Sequence, residues 1–299
     1  APAAGDPSPG SLVDADPERI DRGWDVRQVH DGADPAECAQ ALLAELERGV
    51  TSIELVAPSD GWTLDTLRTA TEGVLLDLAA VVLAPHGDPA QAAVLHSLIL
   101  ERGDAATTRS WLGLDPLGEI ARGREADVAG CVAAAAELAP SLPMGRTLTV
   151  DSSRYGDAGA TEAEELGWSV ATGVAYLRAL EACGVAPGDA AKTIAFRMTA
   201  GADQFITIAS LRSARRLWRR VLAASGVPAD GQGQEIQAVT SRAMFSQRDP
   251  WVNMLRGTTA ALAAGVGGAD AITVLPFDDA LGEPDRFSQR VARNTQLLL

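Results

Sequence analysis

The feature that most restricts how this chain can fold is an alternation repeated along its length. Short apolar runs recur, each separated from the next by a longer stretch with helical periodicity. That is the pattern of βα units and of a parallel sheet. The strand-like runs are SIELVA from 52, AAVVLA from 79, SWLGLD from 110, TLTVDS from 147, TIAFRM from 193, EIQAVTS from 235, AITVLPF from 271 and TQLLL from 295. Helical stretches lie at 63–77, 88–102, 125–139, 162–183, 203–224, 249–264 and 284–293. This number of strand runs fits an α/β protein of the (β/α)8 TIM-barrel type, whereas a doubly wound sheet more often has about five or six strands and a Gly-rich first turn.

Ahead of these units, DPAECAQALLAELERG (34–49) has an Asp-Pro start, Cys38, Leu42, Leu43 and Leu46 at helical spacing, and a closing Gly. It predicts a leading helix. The first twenty or so residues mix Pro, Gly, Ala and Asp without apolar periodicity and read as an extended arm. The expected division is an arm over 1–33 and a barrel over 34–299. The chain stops inside TQLLL with no eighth helix after it, so it reads as a fragment of a longer polypeptide.

Composition narrows the partners. With 46% hydrophobic and 22% charged residues the chain has the balance of a soluble globular protein, and 4% aromatics imply an aliphatic core. A net charge of −15, from 40 acidic and 25 basic residues, argues against nucleic acid or an anionic membrane as the main partner. No apolar run reaches the roughly 18 residues of a membrane span. Cys38, Cys131 and Cys183 lack CxxC spacing, which argues against a disulfide framework or a zinc site and suits a cytoplasmic setting.

The histidines His30, His86 and His96 share neither HxH nor HxxxH spacing. His96 lies on a helix and reads as a packing or surface residue, while His86 follows the second strand run, at the end where barrel active sites form. The glycine clusters GQGQ (231) and GVGGAD (265) precede strands and read as turns and helix C-caps, not phosphate loops. The stretch 203–224 carries an apolar stripe of Leu211, Ala214, Leu217, Trp218 and Val221 with Arg212, Arg215, Arg216, Arg219 and Arg220 off it. In so acidic a chain this reads as a solvated face, or a patch that pairs with acidic groups of a neighbouring helix or subunit.

Chemistry in barrels sits at the C-terminal ends of strands. The side chains there are Glu54, Asp115, Asp151, Ser152, Ser153, Arg154, Tyr155, Arg197, Thr240, Ser241, Arg242 and Asp278. Their arginines need either carboxylates or a phosphorylated ligand, and structural ion pairs with Asp115 and Asp151 are as consistent as ligand binding.

Five segments in order, GWDVRQ (23–28), DQFITIASLRSARRLW (203–218), SQRDPWVNMLR (246–256), GVGGADAITVLPFD (265–278) and RVARNTQLLL (290–299), resemble the barrel domain of the cobalamin-dependent acyl-CoA mutases. Within that family the resemblance is to the small subunits of methylmalonyl-CoA mutases; the region 57–145 is only loosely similar. The resemblance implies a TIM barrel threaded by coenzyme A, followed by a flavodoxin-like domain that this sequence lacks. In active subunits that second domain holds adenosylcobalamin through D-x-H-x-x-G, and no histidine here has Asp two residues before it.

The family's active Tyr-His pair falls on Tyr155 and Gly156, or on Ser153 and Arg154 under a shifted alignment, so the His is gone either way. Where the family has Q-T-S-G-W this chain reads AVTSRA, putting Arg242 at a Gly position, where a guanidinium would take space a threaded acyl-CoA needs. The resemblance therefore implies a chain with no catalytic residue and no cofactor of its own. Its expected partner is a large catalytic subunit that carries adenosylcobalamin and interconverts methylmalonyl-CoA and succinyl-CoA. A vestigial acyl-CoA site would use Tyr155, Arg197, Thr240, Ser241 and Arg242. The alternative is a competent or CoA-binding barrel of an isobutyryl-CoA or ethylmalonyl-CoA type mutase.

Overall fold

The computed structural model describes residues 23–282 and 284–299, so the arm expected over the first residues lies outside the described residues up to 22. Eight parallel strands close into a barrel in chain order. They are β1 (Asp25–Asp31), β2 (Ser52–Val56), β3 (Ala80–Leu83), β4 (Trp111–Leu114), β5 (Arg146–Asp151), β6 (Ile194–Ala200), β7 (Glu235–Thr240) and β8 (Ala271–Thr273). Closure is made by β1 against β8, with Asp25 opposite Ala271 and Val26 opposite Ile272.

Two expectations about the ends are corrected. The barrel begins inside the segment assigned to the arm, because DVRQVHD is β1. It escapes detection because its inward position is Arg27 and its outward ones include Gln28 and His30, so no apolar run appears. TQLLL is not the last strand. It is the end of a helix, Arg286–Leu298, which is the covering helix thought to be missing. With β1 and β8 already paired, no sheet edge is left for another strand. Helical spacing puts Ser288, Ala292 and Gln296 inward, while Leu298 stays 86% exposed.

The helices are α1 (Pro35–Leu46), α2 (Leu64–Ala70), α3 (Pro89–Arg102), α4 (Pro116–Ala121), α5 (Val128–Leu138), α6 (Ser153–Asp157), α7 (Glu162–Ala182), α8 (Pro187–Lys192), α9 (Gln204–Ala224), α10 (Val252–Gly267) and α11 (Arg286–Leu298). Local chemistry sets their ends. Asp34 accepts from the amides of Ala36 and Glu37 at the start of α1. Thr161 and Glu164 form a reciprocal capping box on α7. Gly268, left-handed at φ 90°, closes α10, as expected for that glycine cluster. The predicted helix over 63–77 is shorter because the chain turns at Gly73, with φ 78°.

The main core lies between the strands' outer faces and the helices. Ile53, Leu55, Val81, Leu112, Leu148, Phe196 and Ile236 meet Leu42, Leu67, Leu95, Leu211 and Trp218 there. Trp218 packs edge-on to Phe196 at 4.8 Å, and a Cβ at Gly173 would lie 2.7 Å from the Trp218 ring. Glycine is thus required for α7 to pass this close. Among the described residues no helix is long and apolar enough to cross a membrane.

Candidate functional site: the barrel axis and its mouth

Strand alternation sends every second residue inward, and here many of those residues are charged. At the base, Arg146 pairs with Glu235 at 2.6 Å, and Glu235 accepts from the indole of Trp111 at 3.1 Å. Above them the Arg27 guanidinium lies 4.4 Å over the Trp111 ring. Arg27 donates from Nε to Ser52 Oγ at 2.8 Å and from Nη1 to Gln237 Oε1 at 2.9 Å. Gln237 Nε2 in turn donates to Glu54 Oε2 at 2.6 Å and Thr273 Oγ1 at 2.9 Å. Glu54 pairs with Arg197 at 3.2 Å, and Arg197 reaches Asp151 at 3.8 Å. The axis is therefore crossed from base to mouth by one connected set of side chains.

The mouth carries a second cluster, centred on Arg154 of α6. Its guanidinium meets Asp151 at 2.7 Å, Glu119 at 3.0 Å and Asp115 at 3.8 Å. Asp115 accepts from the Tyr176 hydroxyl at 2.7 Å. Glu165 of α7 accepts from the Thr199 amide at 2.8 Å and from Ser152 Oγ at 3.2 Å. Across the opening, Asp157 Oδ1 accepts from Ser241 Oγ at 3.1 Å and from the Arg242 amide at 2.8 Å, so α6 is tied to the end of β7.

These environments split the carboxyl groups. Burial pushes Asp115 up to about 7, against the opposing pull of Arg154. Burial likewise pushes Glu165 up to about 7, in spite of its hydrogen bonds from Thr199 and Ser152. Asp151 feels the same burial, but Arg197 and Arg154 outweigh it and hold that carboxyl below its ordinary range. Burial lowers the pKa of Arg27, partly offset by Asp25 and Glu54.

The five residues assigned to a ligand grip turn to different partners. Arg197 lies in the axis, on Glu54. Tyr155 packs on Trp168 of α7, with ring centroids 4.7 Å apart. Thr240 Oγ1 accepts from the Leu275 amide at 2.8 Å, and Ser241 holds Asp157. Arg242 lies at the rim, 55% exposed and paired with Asp279 at 3.0 Å. The guanidinium groups that occupy the axis are those of Arg27 and Arg197. Of these, Arg27 was missed, with Trp111, Gln237, Glu235 and Arg146; the available signal was a polar residue interrupting otherwise apolar strands, as Glu54 and Gln237 do.

The histidines stand away from this chemistry. His86 Nε2 is 2.9 Å from the Leu112 carbonyl and its Nδ1 accepts from the Asp88 amide at 3.2 Å, so both ring nitrogens are engaged. His96 bonds Ser141 at 2.6 Å, and His30 alternates onto the helix-facing side of β1. Among the described residues no group of three or more His, Cys, Asp or Glu could hold a metal ion. On α9, Arg215 pairs with Asp270 at 2.6 Å and Arg212 donates to the Val266 carbonyl at 3.1 Å, so part of the arginine face binds neighbouring elements. Leu217, placed on the apolar stripe, is instead 42% exposed, and Leu222 is buried.

Residues 128–299, more than half of the chain, match the family profile described as Methylmalonyl-CoA mutase. The chain belongs to the methylmalonyl-CoA mutase family. It is 51% identical over 283 residues to a methylmalonyl-CoA mutase small subunit of Streptomyces virginiae, covering 93% of this chain and 46% of that relative. It is 41% identical over 280 residues to the small subunit of Propionibacterium freudenreichii subsp. shermanii, covering 92% and 44%. The chain thus spans about half the length of the curated relatives it matches. A dihydropteroate synthase of Yersinia pestis shares the fold alone, with a TM-score of 0.50 at 12% identity over 92% of this chain and 93% of that one.

One mutase-family segment, SQRDPWVNMLR, has a visible structural task. Asn253, only 1% exposed, accepts from the Ser246 amide at 3.0 Å and donates to the carbonyls of Ser246 and Phe277, both at 2.9 Å. It pins the loop after β7 to the loop after β8.

Proposed function

We propose that this chain is the barrel domain of the small, non-catalytic subunit of a heterodimeric adenosylcobalamin-dependent methylmalonyl-CoA mutase, and that it stabilises the catalytic large subunit. The observation that carries the reading is the filled axis. In the active mutases this chain resembles, the acyl-CoA is expected to thread the barrel. Here that lane is taken by Arg27 on Trp111, by Gln237, and by the Glu54–Arg197–Asp151 set. Clearing a path would strand several buried charges at once, each costing several kcal/mol.

A corrinoid does not fit the described residues either, since His86 and His96 are engaged elsewhere and His30 faces the helices. Adenosylcobalamin supplies radical chemistry where it is bound, and we assign it to the large subunit. The relatives' names as small subunits support a partner of this kind. A protein that binds only the folded large subunit shifts that subunit's folding equilibrium by mass action.

The test is turnover of methylmalonyl-CoA with adenosylcobalamin by the full-length protein alone, by the large subunit alone and by the two together. No turnover by this chain alone, with a more heat-resistant large subunit in the mixture, is expected. Turnover by this chain alone refutes the proposal.

A further inference from the structure

A helix on the outside of a barrel normally turns a charged face to solvent, and α10 does not. Trp251, its N-cap residue, and then Leu255, Thr259, Leu262 and Val266 recur at steps of four, four, three and four, so they share one stripe along the helix. Trp251 and Leu255 are 56% and 70% exposed, and Leu262 and Val266 are exposed as well. Thr259 Oγ1 donates back to the Leu255 carbonyl at 3.0 Å, which spends its proton within the helix. The one charged residue of α10, Arg256, is held on Asn253 at 2.7 Å. On the opposite side Gly257, Ala260, Ala261 and Ala264 are buried. A helix that is apolar all round belongs in a core, yet among the described residues the outer stripe is uncovered. Trp251 stacks on Phe277 with centroids 4.9 Å apart, and Phe277 meets Phe287 of α11 edge-on at 6.1 Å, so the apolar surface passes on to α11.

Charge is sorted on the same side. Together α9, α10 and α11 hold nine arginines and no aspartate or glutamate, in a chain of net charge −15. Asp203, Asp249 and Asp285 stand at or before the heads of these helices, off their sides. Arg215 and Arg293 are answered by Asp270 and Glu45. Exposed Arg212, which donates to the Val266 carbonyl at 3.1 Å, borders the stripe from α9, and exposed Arg286 and Arg290 border it from α11. An apolar, aromatic centre with an arginine rim has the make-up of a protein interface.

We propose that the outer face of α10, rimmed by arginines of α9 and α11, is the surface on which the large subunit docks, through an apolar strip bordered by carboxylates. This rests on the reading of the chain as a small subunit and adds the face that it uses. A second copy does not suit the face. Two-fold pairing sets a patch against itself, and with arginine on both rims it opposes like charges in either orientation. A polyanion would answer the arginines and leave the leucines in water.

The experiment uses the full-length protein and the large subunit. Leu255→Glu combined with Leu262→Glu puts two carboxylates into the strip at exposed positions, and Leu100→Glu, on exposed α3 surface, is the control. Expected is a dissociation constant for the large subunit raised about 100-fold by the pair and unchanged by the control. Arg286→Glu with Arg290→Glu should slow association, most of all at low salt. In hydroxyl-radical footprinting, Trp251 and Leu255 should be oxidised in the free protein and shielded in the complex. Parent affinity in the glutamate pair overturns the proposal, as does an equal loss in the control. Shielding already present in the free protein overturns it too, by marking another part of the same chain as the occupant, and so does self-association or binding to anionic vesicles that the pair abolishes. If the parent itself does not bind the large subunit, the small-subunit reading falls; if parent and pair bind alike, only the docking face does. Should the pair not fold, footprinting of the parent decides, and Trp251 oxidised equally with and without the large subunit refutes the proposal.

Discussion

Replacing Asp115 by Asn should change how stability depends on pH, in a direction fixed by the mouth's geometry. The Asp115 carboxyl is buried and accepts from Tyr176 OH at 2.7 Å and from the Gly118 amide at 3.1 Å, both at Oδ1. Asparagine keeps that acceptor and the volume, and removes the proton equilibrium. Burial raises the pKa in the folded protein from 3.8 to about 7, a difference of about three units. At 1.36 kcal/mol per unit, this is on the order of 4 kcal/mol. The folded state holds the proton more tightly, so the stabilisation from protonation is complete below 3.8, fades as pH rises through the folded value, and is gone above it. Asp115→Asn escapes that loss. Urea unfolding followed by circular dichroism at pH 5 and pH 8.5, with unchanged m-values, should show the variant's advantage over the parent growing by about 3 kcal/mol between the two, since about two of those units lie between pH 5 and the folded value. Taking the difference between the two proteins cancels Glu165 and Asp151, which titrate in both. A pH-independent difference, or an advantage of the variant that shrinks as pH rises, would refute the reasoning.

Arg197→Met should destabilise by about 3–5 kcal/mol, since it leaves Glu54 buried without a guanidinium partner and Asp151 with Arg154 alone. Restoring much of the loss with a second change, Glu54→Gln, would mark the penalty as electrostatic; no recovery would point to packing. Arg293→Met tests how the barrel is closed. Arg293 of α11, 4% exposed, holds Glu45 of α1 at 2.6 Å, so its loss should speed hydrogen exchange in α11 and β1 first and leave β5 and β6 protected. Uniform acceleration over all strands would contradict that.

Strand and helix identities over most of the chain were legible because they follow from local chemistry: the apolar runs of β2 to β8, the Asp-Pro start at Asp34, and the stop in the glycine cluster at Gly268. The barrel follows from their number and order, and family membership from five segments of residue identities. Legibility failed where a side chain's role depends on what lies across the axis. Arg27 reads as one charge in a polar stretch, and only the closed sheet puts it over Trp111 and against Gln237, 210 positions later. TQLLL has strand composition, yet closure of β1 on β8 leaves no edge for it and it continues a helix. Whether Arg197 and Arg154 meet a ligand or carboxylates was likewise open along the chain. Burial and distance decide it, because a charge inside a barrel is tolerated only where an opposite charge from another strand stands within reach.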